Sequence, residues 1–253
     1  MAHFYKRETS AVTIAGGQHF VGDNVRTALE TDIDCVVIGE GGDTIRELLT
    51  VIRNGESPDA AEGIAFMRNG RMIQTPPRPA ITEFDDLPVP DFGLLQYARM
   101  KLFPVGWIRG CGMNCEFCTV KGKPRSASPE RVLKHIATAL EEHDARDFFI
   151  VDDLFGHNRR DTLRFCRLLA DYQEAVGIKL DLTVQIRLDI GRDKELLTAM
   201  RNAGVNIVCI GFESPIPEEL AAMDKRLKPE DMVDLARLYH EAGFLVHGMF
   251  IMR

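Results

Sequence analysis

The sequence predicts an α/β protein: an incomplete parallel β-α barrel preceded by a smaller piece of doubly wound sheet. Three observations carry this expectation. From Val105 onward, apolar runs and helical patterns alternate about every 30 to 40 residues, the signature of parallel β-α units. A shorter β-α-β-α pattern occupies residues 10–53. Between the two, positions 76–90 carry five prolines, too many for a helix or a central strand. With 253 residues, 45% of them hydrophobic, the chain can bury one sizeable core, or a main domain plus a smaller one.

In chain order, the apolar run SAVTIAGG at 10–17 and its echo DCVVIGEGG at 34–42 read as short buried parallel strands, each stopped by glycines. Asp23 to Thr31 is a short helical pattern, and Asp43 is expected to cap a helix running to about Arg53. A doubly wound sheet reduced to two such strands is expected to be weak. In GIAFMRNGRMIQT, Asn69-Gly70 separates two strand-like runs, the strongest short-range signal for a two-residue hairpin. Further strands are expected at about 105–109, 147–152, 180–187, 206–212 and 244–251, with helices at about 129–142, 159–176, 193–203 and 230–242 between them. The helix at 129 is well signed: Ser128 stands at the cap, Pro129 at the first helical position, and Glu130 in the positive first turn. The expected division is 1–58 for the partial doubly wound domain, 59–98 for hairpin and linker, and 99–253 for the barrel. The last apolar run ends at the final residues with no turn and no closing helix, so the barrel is expected to be unfinished.

A net charge of −7 offers no general pull toward phosphate backbones or anionic lipid, and no local basic patch stands out, so nucleic-acid binding is not expected. No window is apolar enough for a membrane span, and the N-terminus MAHFYKRETS has no signal core. Six cysteines in a chain of this length do not make a disulfide framework, and a reducing cytoplasm is the expected compartment.

The chemistry concentrates at RGCGMNCEFC, residues 109–118. Cys111, Cys115 and Cys118 follow C-x-x-x-C-x-x-C directly after the strand VGWIR, which puts them on the first β-α loop, at the face where such barrels build active sites. Gly110 and Gly112 allow the tight curl that converging thiolates need. Ferredoxin clusters and closed structural zinc sites take four ligands. Three thiolates on a four-iron cubane leave one iron open, whereas zinc would need His135 or His143 as the fourth ligand, and three free thiols would invite oxidation.

This spacing, with Phe117 just before the last cysteine, resembles the signature of the radical S-adenosylmethionine (radical SAM) superfamily. The resemblance implies an incomplete TIM-like (β/α)6 barrel and a [4Fe-4S] cluster on Cys111, Cys115 and Cys118 whose open iron chelates SAM. It also implies reductive cleavage to a 5′-deoxyadenosyl radical, with Phe117 beside the adenine, and a flavodoxin or ferredoxin-type electron donor. Later strand ends supply the remaining candidates. Asp152 and Asp153 close the second strand, where the family receives the amino group of SAM; the alternative is loop solvation and helix capping. Gln185 and Arg187 share one face of the third strand, suited to the SAM carboxylate or ribose, with a salt bridge from Arg187 to Asp189 or Asp152 as the competitor. Gly211 and Glu213 in NIVCIGFESP resemble the family's strand near the adenosine. His157 and Asn158 follow the acidic pair, Asn158 as a helix cap; His247 and Met249 alternate on the last strand, His247 read as a core histidine. Cys35, Cys166 and Cys209 read as core residues.

IAGGQHF and DCVVIGEGGDTIRELL, within 10–53, resemble the later half of the Rossmann-like cobalamin-binding domain that precedes the barrel in one radical SAM subgroup. That resemblance implies methyl transfer or rearrangement in a biosynthetic pathway, on a small-molecule or lipid-like substrate. The subgroup's D-x-H-x-x-G is absent: His19 and Gly22 stand in H-x-x-G, but residue 17 is glycine. Cobalamin is therefore an open cofactor, and a fragment or a late-assigned start is expected. GEGG at 39–42 is not a phosphate-binding G-x-G-x-x-G and reads as a tight turn. The alternatives are a cobalamin-independent radical SAM enzyme and a catalytically silent cluster-binding fragment.

Overall fold

The computed structural model describes residues 2–120 and 122–252, and the chain divides into two compact units, residues 1–82 and 83–253. In the first unit, helix α1 (Ala2–Glu8) precedes strand β1 (Ile14–Ala15), α2 (Asp23–Leu29), β2 (Cys35–Val37) and α3 (Gly41–Arg53). Strands β3 (Ile64–Arg68) and β4 (Arg71–Gln74) form the expected hairpin, with Asn69 and Gly70 both at positive φ, 51° and 74°, as its two-residue turn requires. The hairpin does not stand alone. It pairs antiparallel with β2 and completes a sheet of order β1-β2-β3-β4, so the expected two-strand remnant is a four-stranded sheet. Burial of Ile64, Ala65 and Phe66 ties the hairpin to this unit, and the expected segment 59–98 is split between the two units. The start of α3 also differs from expectation: Glu40, not Asp43, occupies the cap position, and its carboxylate accepts from the Ile81 amide at 2.6 Å.

The second unit holds a five-stranded parallel sheet of order β11-β10-β9-β8-β5, the incomplete barrel. Its strands and helices run β5 (Phe103–Val105), β6 (Ile108–Arg109), β7 (Arg125–Ser126), α4 (Pro129–His143), β8 (Asp147–Phe155), α5 (Arg159–Val176), β9 (Asp181–Ile186), α6 (Lys194–Asn202), β10 (Val205–Glu213), α7 (Pro217–Ala222), α8 (Pro229–Glu241) and β11 (Leu245–Phe250). The elements expected from periodicity are present, each within a few residues of its expected bounds. Ser128 caps α4 by accepting from the Arg131 amide at 3.2 Å, and Asn158 caps α5 through the Asp161 amide. The exception is the first strand. It leaves the sheet after Val105, and Ile108–Arg109 instead pairs antiparallel with Arg125–Ser126.

Alternation along each strand decides which face is core. Phe148, Ile150, Leu182, Val184, Val208 and Ile210 point to the helix layer and are fully buried there with Ile136, Phe165 and Leu169. The odd-numbered residues between them face the other way. Tyr239 of α8, fully buried, donates its hydroxyl to the Arg187 carbonyl at 2.7 Å and thereby fixes the end of β9.

Gly204, between α6 and β10, has φ +89°, and a Cβ there would lie 2.4 Å from the Leu180 carbonyl oxygen. Gly204→Ala therefore combines a left-handed backbone with a backbone clash and should cost on the order of 2–4 kcal/mol. Urea denaturation checks it; an unchanged midpoint would mean the backbone relaxes freely at this crossing.

Candidate functional site

The cysteine loop is held at its base by two consecutive carboxylates of β8. Asp152 is buried, and its Oδ1 accepts from the amides of Trp107 and Ile108, each at 2.7 Å. Asp153 Oδ2 accepts from the Gly110 amide, also at 2.7 Å. Neighbours on a strand point to opposite faces, so the segment 107–110 must pass across the end of β8 to be gripped by both. This is why the first strand ends early: amides given to Asp152 are lost to the ladder. The β6–β7 ribbon then closes the loop, the Gly112 amide donates to the Gly122 carbonyl at 3.1 Å, and the Glu116 amide donates to the Met223 carbonyl at 3.0 Å. Gly110 (φ +87°) has no room for a side chain, since a Cβ would meet the Lys123 carbonyl oxygen at 2.8 Å.

Within this closed loop Cys115 is buried and Cys111 and Cys118 are half-buried, with the Cys118 amide donating to the Cys115 carbonyl at 3.1 Å. Burial pushes the Cys111 thiol up, and the nearby Cys118, Cys115 and Asp153 add to the rise, so the three sulfurs feel one another. Among the described residues, no three His, Cys, Asp or Glu side chains surround a single ion position. The alternative zinc ligands lie elsewhere: His135 is buried and stacked on Phe92, and His143 is stacked on Phe103.

Cys115 opens into a pocket that is also lined by Asp153, Gln185, Arg187, Gly211 and Glu213. Of the ten residues expected at the cluster and SAM, the fold thus brings six together around this pocket. Asp152 is not among them; it faces the core and holds backbone. Phe117 lies outside the lining and is 46% exposed. Arg187 has taken the competing partner, a bidentate pair with Asp189 at 2.6 and 2.9 Å, and its third nitrogen reaches Met113 Sδ at 3.5 Å. His247 is exposed rather than a core residue, while Met249 lines the pocket. Cys35 and Cys166 are buried as expected, but Cys209 is only half-buried.

Lys225 is the main residue the sequence reading missed. Its Nζ lies 2.9 Å from Glu213 Oε1, and the side chains are 21% and 12% exposed. Glu213 sits at φ +64°, unusual for a non-glycine residue, and its carboxylate folds back over Gly211. A Cβ on Gly211 would meet that oxygen at 2.3 Å and Lys225 Nζ at 3.1 Å. Lys225 follows Asp224, itself at positive φ (50°), in a loop between helices that carries no motif, so its arrival at the pocket is visible only in three dimensions. Gly211→Ala should displace the pair without unfolding the sheet. Its denaturation midpoint should fall modestly while the pocket rearranges, which amide chemical shifts of Glu213 and Lys225 would report; unmoved shifts would refute the packing argument.

Burial pushes the Asp152 carboxyl up to about 7, with a smaller push from Asp153, against the lowering effect of its two amide donors. Its Oδ2 is buried and finds no hydrogen-bond partner among the described residues, in keeping with a rise driven by burial. A folded-state value above the ordinary 3.8 means the native state binds the extra proton between about pH 4 and 7, so stability should fall as pH rises through that window and level off above it. Asp152→Asn should abolish this slope; urea midpoints at pH 5 and pH 8 test it, and parallel curves would show that the folded carboxyl is ionised throughout.

Comparison with known proteins identifies the family and the fold. The sequence model described as "Radical SAM superfamily" matches residues 105–253. An uncharacterized methyltransferase of Pyrococcus horikoshii is 30% identical over 94% of this chain and 53% of its own length. The anaerobic magnesium-protoporphyrin IX monomethyl ester cyclase of Rubrivivax gelatinosus is 26% identical over 95% of this chain and 45% of its own. The chain thus spans about half the length of these relatives. Among solved structures, the radical SAM methyltransferase TsrM of Kitasatospora setae superposes with a TM-score of 0.77 at 21% identity, covering 98% of this chain and 51% of that one. The cobalamin-dependent SAM radical enzyme OxsB gives 0.76 at 18% identity, covering 99% and 38%. The family model matches more than half of the chain, and that match decides the lineage: this chain belongs to the radical SAM superfamily.

Proposed function

We propose that this chain forms the cluster- and SAM-binding part of a biosynthetic enzyme that cleaves SAM reductively and acts on a small organic substrate, with methyl transfer the favoured outcome. The observation that carries this is the closed three-cysteine loop opening into the pocket beside Asp153, Gln185, Arg187 and Glu213. Cys111, Cys115 and Cys118 would hold a [4Fe-4S] cluster. When bound, the cluster supplies the electron that breaks the sulfonium bond of SAM to give a 5′-deoxyadenosyl radical. The chain's own residues do the rest. Asp152 and Asp153 hold the base of the loop, and Cys115 would present a bound cluster to the pocket. Carboxylates at Asp153 and Glu213 suit an ammonium group, and Lys225 and Arg187 suit a carboxylate, the two charges of an amino-acid moiety. The apolar stretch of Leu154, Ile186 and Met249 excludes water around them.

Methyl transfer is supported by the names of the Pyrococcus relative and of TsrM, while the cyclase supports a ring-forming outcome as the second reading. TsrM and OxsB are described with cobalamin. In this chain the D-x-H-x-x-G is absent, and His19 of the H-x-x-G is exposed and packed edge-on to Phe20. A flavodoxin or ferredoxin-type donor and a cytoplasmic setting fit the six free thiols, and no described helix is long and apolar enough to cross a membrane.

Anaerobic reconstitution with iron and sulfide should give a cluster with the absorption and electron paramagnetic resonance of a four-iron centre, perturbed by SAM. Cys115→Ala should lose most of the iron and release of 5′-deoxyadenosine should fall at least 100-fold. A variant that kept the same resonance and turnover would overturn the assignment, and retention of added cobalamin by the purified chain would decide between the methyl-transfer routes.

A further inference from the structure

The open face of the barrel sheet is ordered by register into rows. At the mouth stand the charged groups Asp153, Arg187, Glu213 and Lys225. One step below, Gln185, Cys209 and His247 are direct neighbours across β9, β10 and β11. One step further, Phe149, Thr183, Ile207 and Leu245 form a second row. None of these seven residues is Asp, Glu, Lys or Arg. The rows are accessible: His247 and Leu245 are exposed, and Gln185 and Cys209 are half-buried. They are also continuous with the mouth, because Gln185 belongs both to its row and to the lining of the Cys115 pocket.

We propose that the row Gln185, Cys209 and His247, with the apolar row beneath it, is the binding face for an organic substrate that is uncharged over the part that enters: a hydrocarbon body bearing one neutral hydrogen-bonding group. This rests on the reading above, in which the mouth handles SAM. Charge complementarity separates the two regions of this face. The mouth has opposite charges for a zwitterion, whereas a charge brought onto the two lower rows would lose water and find no counter-ion within them, the carboxylates of Asp147 and Asp181 standing one row further down the same face. A hydroxyl or carbonyl would instead find the Gln185 amide or the His247 imidazole, each able to donate and accept. The methyl, ring and alkyl groups of Phe149, Ile207 and Leu245 suit a hydrocarbon.

Cys209 is the built-in reporter, since it lies in the middle of the row. In the reconstituted, oxygen-protected protein, its alkylation by iodoacetamide is followed by peptide mass spectrometry with three probes of one chain length: 1-octanol, octanoate and octylammonium. Octanol should slow alkylation about fivefold or more, and the two ions less than twofold. His247→Ala should raise the octanol concentration needed for half-protection about 3- to 10-fold, the effect of losing one hydrogen bond. Leu245→Lys, an exposed position that tolerates the change, should reverse the preference so that octanoate protects and octanol does not. Equal protection by all three probes, no protection by octanol, or no response to the two variants would overturn the proposal. So would protection that rises with protein concentration alone, which would mark a second copy on this face. Release of 5′-deoxyadenosine is measured on the same preparation: its loss with octanol protection intact counts against the SAM reading, and the reverse pattern counts against this one.

Discussion

Everything at the mouth depends on two adjacent carboxylates holding one piece of backbone. Asp152 and Asp153 leave β8 in opposite directions, yet between them they take the amides of Trp107, Ile108 and Gly110. This fixes the point at which the chain stops being sheet and becomes cysteine loop. The cost is a carboxyl buried with one oxygen unsatisfied, acceptable because Trp107 is itself packed between Phe155 and Phe165 in the core. A loop anchored on the core is what a cluster with an open corner needs, since its free iron must face one direction.

From that anchor the polarity of the site follows. Charged groups are confined to the rim, where each has a partner: Glu213 with Lys225, Arg187 with Asp189. Both rim pairs keep some solvent, the Arg187–Asp189 pair most, so they contribute little to stability. The backbone at Glu213 is held by its neighbours. A non-glycine residue at positive φ persists only where its surroundings over-determine it, and here Gly211 beneath and Lys225 above do so.

The first unit shows how a short segment is stabilised by its sequel. Two parallel strands of two and three residues would bury little, but the hairpin adds two antiparallel strands and covers Val36, Val37 and Leu48 with Ala65, Ile64 and Phe66. Antiparallel strands joined by a two-residue turn cost little loop entropy, which makes this the economical way to finish a small sheet.

The sequence by itself determined the periodic part of this protein and the spacing of the three cysteines on one loop. Strand and helix spacing, the Ser128-Pro129 helix start, the Asn69-Gly70 turn and the three cysteines are local signals, written in neighbouring residues, and the fold honours them. Tertiary structure alone decided what each polar residue at a strand end does. Asp152 and Asp153 read alike in sequence, but alternation sends one into the core as a backbone holder and the other into the pocket. Lys225 arrives from a loop without a motif, Arg187 is satisfied by Asp189, and His247 is exposed on the outermost strand of the sheet. Partners distant in the chain set these outcomes, and distance in the chain is what local patterning does not record.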